Sequence, residues 1–302
     1  MSVTIDGTDL TRKFITKWET GDSEMRKQAI YAVNSYIKSK LRERGIVRSQ
    51  ILPALTLQDG DLIPQEDPSV LMKYMDLEPD STGTHVPFRG QAPARLIKGR
   101  RAPVYFAKLE GQLHTVNIIE LKTYNTDLRA ILDDHDVANI QYEEDYFFLK
   151  RINELCAANP AAQLHNFWGG LTKNNWTLAQ QAYPIDRPIK NALMNTKTKK
   201  EFQKWDYVSD MGMGTQGADT FVNGAPGKVH NIEIIETIKE ALVPFGHVYY
   251  FAPEDFVGKF YILQEPTTFV EQKKDWLSFQ TYEYVGIGIG NTTSFTKNIF
   301  NP

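Results

Sequence analysis

The sequence has little cysteine, no long apolar run and no signal peptide. Cys156 is the single cysteine among 302 residues, which excludes an internal disulfide and a thiolate-rich metal site. The longest apolar runs span only a few residues, so a transmembrane helix is excluded. Residues 1–21 lack the basic region, apolar core and small-residue cleavage site of a signal peptide. We therefore expect a protein of the cytoplasm, or of a particle assembled there.

The chain also lacks an excess of either charge. With 34 Lys and Arg residues against 37 Asp and Glu residues, the formal net charge is -3. This balance argues against a protein that coats nucleic acid through a large cationic surface. Basic residues cluster at 38–44 and 98–101, where we interpret them as solvated faces. The composition, 41% hydrophobic and 24% charged, is that of a globular protein.

The amino-terminal part combines an arm with an amphipathic helix. Residues 1–21 show no sustained period and are interpreted as extended. Asp22 or Ser23 can cap a helix that ends near Gly45. Its apolar stripe recurs at four-residue spacing: Met25, Ala29, Val33, Ile37, Leu41. Periodicity does not decide whether the stripe packs on its own domain or on a neighbouring subunit. Residues 46–84 mix acids, prolines and short apolar runs, which predicts loops and short strands.

Residues 85–122 have the pattern of a long β-hairpin. Val86 and Phe88 lead into a basic middle that contains glycine and proline. A second arm leads back out through apolar residues: Val104, Tyr105, Phe106, Val116, Ile118, Ile119, Leu121. A long hairpin with apolar strands around a basic middle could not bury both of its faces in its own subunit. We therefore predict a protruding arm whose partner lies on another chain.

The strongest helix pattern of the chain lies at 136–158. It would be about 35 Å long at a rise of ~1.5 Å per residue, and a short helix starting at Thr126 or Asp127 is predicted before it. Residues 161–230 are rich in aromatics, glycine and loops. A further helix is predicted at 232–242. The predicted strands of the last part are 247–253, 260–263, 276–284 and 285–290.

No constellation of residues indicates catalysis, a cofactor or a metal. Residues 133–136, Asp-Asp-His-Asp, form the densest set of potential ligands, but adjacent positions point in different directions. A helix amino terminus, whose dipole favours negative charge, explains them more simply. The run 286–290, Gly-Ile-Gly-Ile-Gly, lacks the Lys-Ser/Thr of a phosphate loop. Cys156 has no histidine nearby in sequence, so we expect a buried, inert thiol.

The carboxyl-terminal part resembles a known family. Residues 249–256 (YYFAPEDF), 258–260 (GKF) and 283–291 (EYVGIGIGN), with 143–148 (EEDYFF) in the long helix, are similar to HK97-type major capsid proteins of tailed double-stranded DNA bacteriophages. Residues 263–270 and 276–279 lie between these motifs. The likeness in sequence covers about the last 55 residues and part of the long helix. The likeness in the order of elements covers nearly the whole chain.

The resemblance implies an α+β fold of the HK97 type and a division of the chain. The implied parts are an amino-terminal arm and helix (1–45), the first part of a peripheral domain (46–84), an extended β-hairpin loop (85–122), the peripheral domain with its spine helix (123–159), an axial domain (160–260) and a strand return to the peripheral domain (261–302).

The resemblance also implies a mechanical function. Copies of the chain would assemble as pentamers and hexamers into an icosahedral shell around the phage genome, with no enzymatic activity. The implied partners are the chain itself, portal and scaffolding proteins, a decoration protein, and double-stranded DNA held non-specifically on the inner face, with no membrane. An arm of only 45 residues suggests a separate scaffolding protein. An encapsulin-like shell around cargo enzymes is the alternative within the fold, and a soluble enzyme of novel α+β fold is the alternative outside it.

Eight residues are predicted to contact neighbouring subunits. Six lie in the hairpin and two in the axial domain: Arg95, Lys98, Arg100, Arg101, Tyr105, Phe106, Trp168, Trp205. Core packing explains the two tryptophans equally well.

In one branch of the family a loop lysine forms an isopeptide bond with a neighbour's asparagine. Lys98 or Lys108 with Asn291 could be placed for it, but their spacing does not indicate the reaction, and ordinary surface lysines are the favoured interpretation.

Overall fold

The computed structural model describes residues 45–63, 70–77, 100–123, 128–184, 187–205 and 227–302, together with Glu24, Lys27 and Gln28. These last three residues are helical and exposed, as expected for the polar side of the helix predicted at 22–45. The arm at 1–21 and the hairpin middle at 85–99 lie outside the described residues.

The described residues form twelve strands and several helices. The strands are β1 (Ala54–Thr56), β2 (Met72–Leu77), β3 (Arg100–Glu110), β4 (His114–Asn117), β5 (Leu164–Trp168), β6 (Asn191–Asn195), β7 (Lys228–Val229), β8 (Ile232–Thr237), β9 (His247–Phe251), β10 (Gly258–Lys273), β11 (Trp276–Ile289) and β12 (Phe295–Asn301). The α-helices are α1 (Ile118–Thr123), α2 (Leu128–Ala158), α3 (Pro160–Gln163), α4 (Lys173–Ala182), α5 (Thr196–Lys199) and α6 (Glu254–Val257). A π-helical turn spans Val47–Ile51, and 3-10 turns span Asp59–Asp61, Lys200–Lys204 and Thr292–Ser294.

The chain divides into two compact units, each built from three segments. The first unit comprises Met1–Gln58, Phe106–Asn153 and Phe260–Gly286. The second unit comprises Asp59–Tyr105, Glu154–Lys259 and Ile287–Pro302.

The first unit contains a sheet built around strand β11. Its neighbours are β10 on one side and, on the other, residues 106–110 of β3 and the whole of β4, both antiparallel. Strand β1 pairs in parallel with the start of β10. Alternate residues of β11 are buried: Leu277, Phe279, Thr281, Glu283, Val285. This period of two places one face of the sheet in the interior, and the strands predicted at 260–263 and 276–290 are confirmed.

Helix α2 is longer than predicted. It spans 31 residues, or about 46 Å at 1.5 Å per residue, and includes the short helix that was predicted separately. The apolar residues Val137, Ile140 and Phe148 are buried in the first unit, as expected. The explanation of residues 133–136 as a helix amino terminus was wrong, because the helix continues through them. Asp136 is instead buried, with its Oδ1 atom 2.8 Å from His114 Nε2.

The second unit contains a mixed sheet of six strands in the order β5-β12-β9-β6-β8-β7. Strands β6 and β9 are central, and β6 is buried along its whole length. Aromatic side chains pack beneath them, with the ring of Trp176 edge-on to those of Phe202 and Tyr250, each at 5.2 Å between centroids. The strand predicted at 247–253 is confirmed as β9.

The helix predicted at 232–242 was wrong. Residues 232–237 form strand β8, which pairs in parallel with β6 and antiparallel with β7. Isoleucine and threonine dominate this segment, and their β-branched side chains favour an extended backbone. Glu233 and Glu236 point to solvent while the isoleucines are buried. The apolar spacing also suits a helix, and only the neighbouring strands decide the outcome.

The structure also differs in two respects from the hairpin predicted at 85–122. The antiparallel partner of residues 100–105 is β2, which begins upstream of the predicted start at residue 85. Ile118, Ile119 and Leu121, predicted to continue the return strand, belong to helix α1. The Asn117 side chain explains this change, because its Oδ1 accepts a hydrogen bond from the backbone N–H of Ile119 at 2.9 Å. Such a side-chain bond favours the start of a helix over a continued strand.

Candidate subunit interface

The ribbon formed by β2 and residues 100–105 of β3 has one buried and one exposed face. In its antiparallel register Tyr74 lies opposite Pro103, and Asp76 lies opposite Arg101. Directly paired residues share a face, so these four side chains belong to the same exposed surface. Tyr105, on the same face, is 58% exposed. We call this surface the aromatic ribbon face.

The two predicted arginines of the ribbon are both exposed. Arg101 Nε donates to Asp76 Oδ1 at 2.8 Å, and both side chains are open to solvent. An exposed pair of this kind contributes at most about 1 kcal/mol to folding. Arg100 lies opposite Leu77 at the end of the described ribbon. Both guanidinium groups are therefore accessible to a partner.

Of the remaining hairpin residues predicted to contact a neighbouring subunit, the structure describes one. Phe106 is half-buried and pairs with Gly286 in the first unit. Arg95 and Lys98 lie outside the described residues.

Trp168 is held on a fixed turn and is 78% exposed. It ends strand β5 and precedes Gly169 and Gly170, whose φ angles of 88° and 73° require glycine. The Asn175 amide clamps this turn, donating to the carbonyl oxygens of Trp168 at 2.8 Å and Gly170 at 2.9 Å. A large aromatic side chain is thus presented on a rigid backbone. Rigid aromatic anchors of this kind dominate the energies of protein interfaces.

Trp205 belongs to the core of the second unit. It is only 9% exposed, and its Nε1 donates to the carbonyl oxygen of Leu171 at 2.8 Å. Its ring packs against Phe202 with 4.7 Å between centroids. The structure therefore favours core packing, the alternative that the sequence left open for this residue.

Several exposed apolar residues were missed by sequence reasoning. The first unit exposes Leu113, Ile119, Phe269 and Trp276, and the second unit exposes Ile238 and Phe245. Trp276 could have been found, since it alternates with buried Leu277 along a predicted strand. Ile119 and Ile238 could not be found from the sequence. A strand was predicted at Ile119, which lies in helix α1, and a helix was predicted at Ile238, which follows strand β8.

The residues considered for an isopeptide bond make ordinary local contacts. Lys108 Nζ pairs with the Glu110 carboxylate and lies 4.8 Å from the centroid of the Tyr282 ring. The hydrogen bond that Lys108 donates to the Glu110 carboxylate raises the pKa of Lys108, which favours the charged, non-nucleophilic amine. Asn291 Oδ1 accepts hydrogen bonds from Thr293 N at 2.9 Å and Oγ1 at 2.8 Å. These contacts agree with the favoured interpretation of ordinary surface and turn residues.

The part of the chain that the structure describes contains potential metal ligands and titratable groups. It contains no group of three or more His, Cys, Asp or Glu residues that could hold a metal ion. Cys156 is buried, and burial raises the pKa of its thiol to about 11, so the thiolate is scarce near neutral pH. Burial lowers the pKa of His165 and His247. None of the described helices is long and apolar enough to span a membrane.

Comparisons with known proteins find the same fold in several solved structures. No family model and no curated protein matches the chain. Among solved structures, Microbacterium phage Oxtober96 matches with a TM-score of 0.58 and 8% identity, over 85% of this chain and 91% of that one. The capsid of a native GTA particle matches with a TM-score of 0.56 and 12% identity, over 84% and 90%. The virus-like particle from Pyrococcus furiosus matches with a TM-score of 0.50 and 15% identity, over 89% and 98%.

These matches cover most of both chains, but few of the aligned residues are identical. What the chains have in common is therefore the fold. Most of the similar structures are phage or phage-like capsids, among them bacteriophage PhiM1 and cyanophage P-SCSP1u. The α+β composition of the two units agrees with them. The chain therefore has the HK97-type fold of capsid proteins.

Proposed function

We propose that this chain is a major capsid protein that assembles with copies of itself into an icosahedral shell enclosing a phage genome. The observation that carries the proposal is the fold, which the chain shares over 84% of its length with the capsid of a GTA particle. A shell subunit needs surfaces and not a pocket, and the described residues expose large apolar side chains.

The proposed contacts lie along strand β3, whose residues 101–105 carry the aromatic ribbon face, and at Trp168. We assign Arg100, Arg101, Tyr105 and Phe106 to contacts made by the extended loop on an adjacent subunit. Trp168 would anchor a contact made by the axial domain. Each contact would contribute a modest free energy, and closure of the shell would multiply it because every subunit makes all contacts at once.

The proposed division of the chain follows the order of its elements. Residues 1–45 form the arm and its helix, 85–122 the extended loop, and 160–260 the axial domain. The peripheral domain is built from 46–84, 123–159 and 261–302. The β2–β3 pairing extends the loop's stem upstream of residue 85.

The proposed partners beyond the chain itself are a portal protein, a scaffolding protein and a decoration protein. Double-stranded DNA would contact the inner face without sequence preference. The net charge of -3 avoids strong repulsion while leaving no large cationic surface for tight binding. The shell would form in the host cytoplasm.

Assembly of the full chain tests the proposal. The chain should be expressed with and without a scaffolding protein, then analysed by sedimentation velocity and electron microscopy. We expect closed particles with fivefold and sixfold clusters of subunits. A chain that stays monomeric at high concentration with scaffolding protein present would contradict the proposal and favour a soluble protein of another function.

An encapsulin-like shell is the second candidate. The likeness to a virus-like particle from Pyrococcus furiosus, which covers 98% of that chain, favours it. Particles purified from the native source distinguish the two candidates. Packaged DNA, a portal and a tail support the phage capsid, whereas a DNA-free shell loaded with a cargo protein supports the encapsulin-like shell.

A further inference from the structure

Three charged side chains meet in the interior of the first unit. Arg48 lies in the π-helical turn Val47–Ile51, Glu144 on helix α2 and Glu283 on strand β11. Arg48 Nη2 donates to Glu283 Oε2 at 2.8 Å and also to Glu144 Oε1. The three side chains are 3%, 1% and 0% exposed. Two carboxyl groups thus converge on one nitrogen atom away from water.

Among the described residues, the contacts of this cluster include no cation besides Arg48. Val47 N donates to Asp145 Oδ1 at 3.1 Å, which adds another carboxyl group nearby on helix α2. The centroid of the Phe260 ring, on β10, lies 5.5 Å from Arg48 Cζ. Strand β3 places Leu109 opposite Glu283. The charged groups facing the cluster are therefore carboxylates, and its only described cation is Arg48.

A buried cluster with two carboxylates and one guanidinium is electrostatically unbalanced. Transferring an uncompensated charge from water to the protein interior is strongly unfavourable, and two close carboxylates disfavour ionisation of both. Glu283 Oε1 and Arg48 Nε have no hydrogen-bond partner in the described structure. A proton on one carboxyl group removes the excess negative charge. It also supplies a donor between the two groups.

We propose that Glu144 and Glu283 share one proton, and that this proton together with Arg48 forms a latch that fastens Val47–Ile51 to helix α2 and strand β11. The partners of Arg48 lie 96 and 235 positions away along the chain. The latch therefore ties together three segments that are distant in sequence. It acts within a single chain, so it can be tested whether or not the chain forms a shell.

The electrostatics agree in direction with this arrangement. Burial, followed by the charge of Glu283, raises the pKa of Glu144 well above its usual range, and Arg48 opposes the rise only in part. An acid whose pKa is raised in the folded state binds more protons when folded than when unfolded. The stability that it contributes is complete below the ordinary glutamate pKa of about 4.3 and is lost as the pH rises through the raised value. The latch should weaken on the alkaline side.

The test compares glutamine variants of the full-length chain by urea unfolding across a pH series. Glutamine resembles a protonated glutamate in shape, so Glu144→Gln and Glu283→Gln each leave one carboxylate paired with Arg48. Glu143→Gln is the matched control, because Glu143 is adjacent on helix α2 and exposed. One proton bound more tightly in the folded state changes the unfolding constant by up to about tenfold per pH unit.

The expected results separate a shared proton from two ionised carboxylates. Either single variant of the pair should change the unfolding constant by less than about tenfold at pH 7 and should flatten its dependence on pH. The control should retain the wild-type slope. The double variant Glu144→Gln with Glu283→Gln removes both ion-pair partners of Arg48 and should raise the unfolding constant by more than about 100-fold. Single variants that each cost more than 100-fold and keep the wild-type slope would overturn the proposal.

Infrared spectroscopy of the wild-type chain tests the same point when a variant does not fold. A shared proton gives a carboxylic-acid carbonyl band at neutral pH, which should disappear on alkaline titration together with hydrogen-exchange protection of the Leu52 amide. That amide donates to the Val47 carbonyl oxygen at 2.8 Å and reports whether the turn is fastened. Absence of the band at neutral pH in the folded protein would refute the shared proton.

Discussion

Replacing Trp168 with alanine should impair assembly without unfolding the subunit. A buried tryptophan covers roughly 250 Å², and Trp168 is 78% exposed, so about 195 Å² remains for a partner to cover. At about 25 cal/mol per Å² the upper limit is near 5 kcal/mol for each contact. Ordering costs and partial coverage reduce this to about 2–4 kcal/mol, the range of an interface hot spot.

The assay measures the concentration at which particles form, by light scattering and sedimentation. A loss of 2 kcal/mol weakens each contact about 30-fold, so Trp168→Ala should need a much higher concentration to assemble. Urea unfolding of the subunit should change by less than about 0.5 kcal/mol, as for an exposed residue. Gln181→Ala, at an exposed position of helix α4, is the control. Particles that form at the wild-type concentration would refute the assignment of Trp168 to an interface.

Three further changes have distinct expected outcomes. Gly258→Ala should destabilise the fold by at least about 3 kcal/mol in urea unfolding, because the added Cβ would overlap the Gly288 carbonyl oxygen; wild-type stability would contradict this. Asp136→Ala removes the buried partner of half-buried His114 and should cost about 1–3 kcal/mol in thermal unfolding, and no loss would show that the pair is not stabilising. Arg101→Glu should reduce assembly while leaving subunit unfolding within about 1 kcal/mol, and unchanged particles would exclude the aromatic ribbon face as an interface.

The elements that could be predicted are those whose pattern depends on local sequence. Strand β11 was predictable from its aromatic and β-branched residues, and buried and partly buried residues alternate along most of its length. Helix α2 was predictable in its carboxyl-terminal three quarters, where apolar residues recur at helical spacing. Its first residues were predicted as a separate short helix, because the acidic residues at 133–136 looked like the amino terminus of a new helix. Asp136 is stabilised inside the helix by a hydrogen bond with His114, which belongs to strand β4.

The elements that could not be predicted are decided by distant partners. The segment 232–237 suits either a helix or a strand, and its pairing with β6 and β7 selects the strand. The ion cluster of Arg48 could not be predicted either, because it joins three segments of the chain. No local periodicity encodes such contacts.

The candidate interface was predictable only in part. Trp168 and Trp205 were equivalent in the sequence, yet one is exposed and the other is buried. The difference arises from tertiary contacts: Trp205 reaches the Leu171 carbonyl oxygen, whereas the clamped turn at Gly169 holds Trp168 outward. Arg101 and Tyr105 are exposed as expected, because a two-stranded ribbon can bury only one of its faces.

Electron microscopy of the purified full-length chain, expressed with a scaffolding protein, tests the central claim most directly. The account predicts closed icosahedral particles whose subunits are grouped around fivefold and sixfold axes. It also predicts that Trp168→Ala reduces their number at equal protein concentration. A chain that remains monomeric by sedimentation velocity, with no particles in the images, would contradict the proposal that this protein builds a shell.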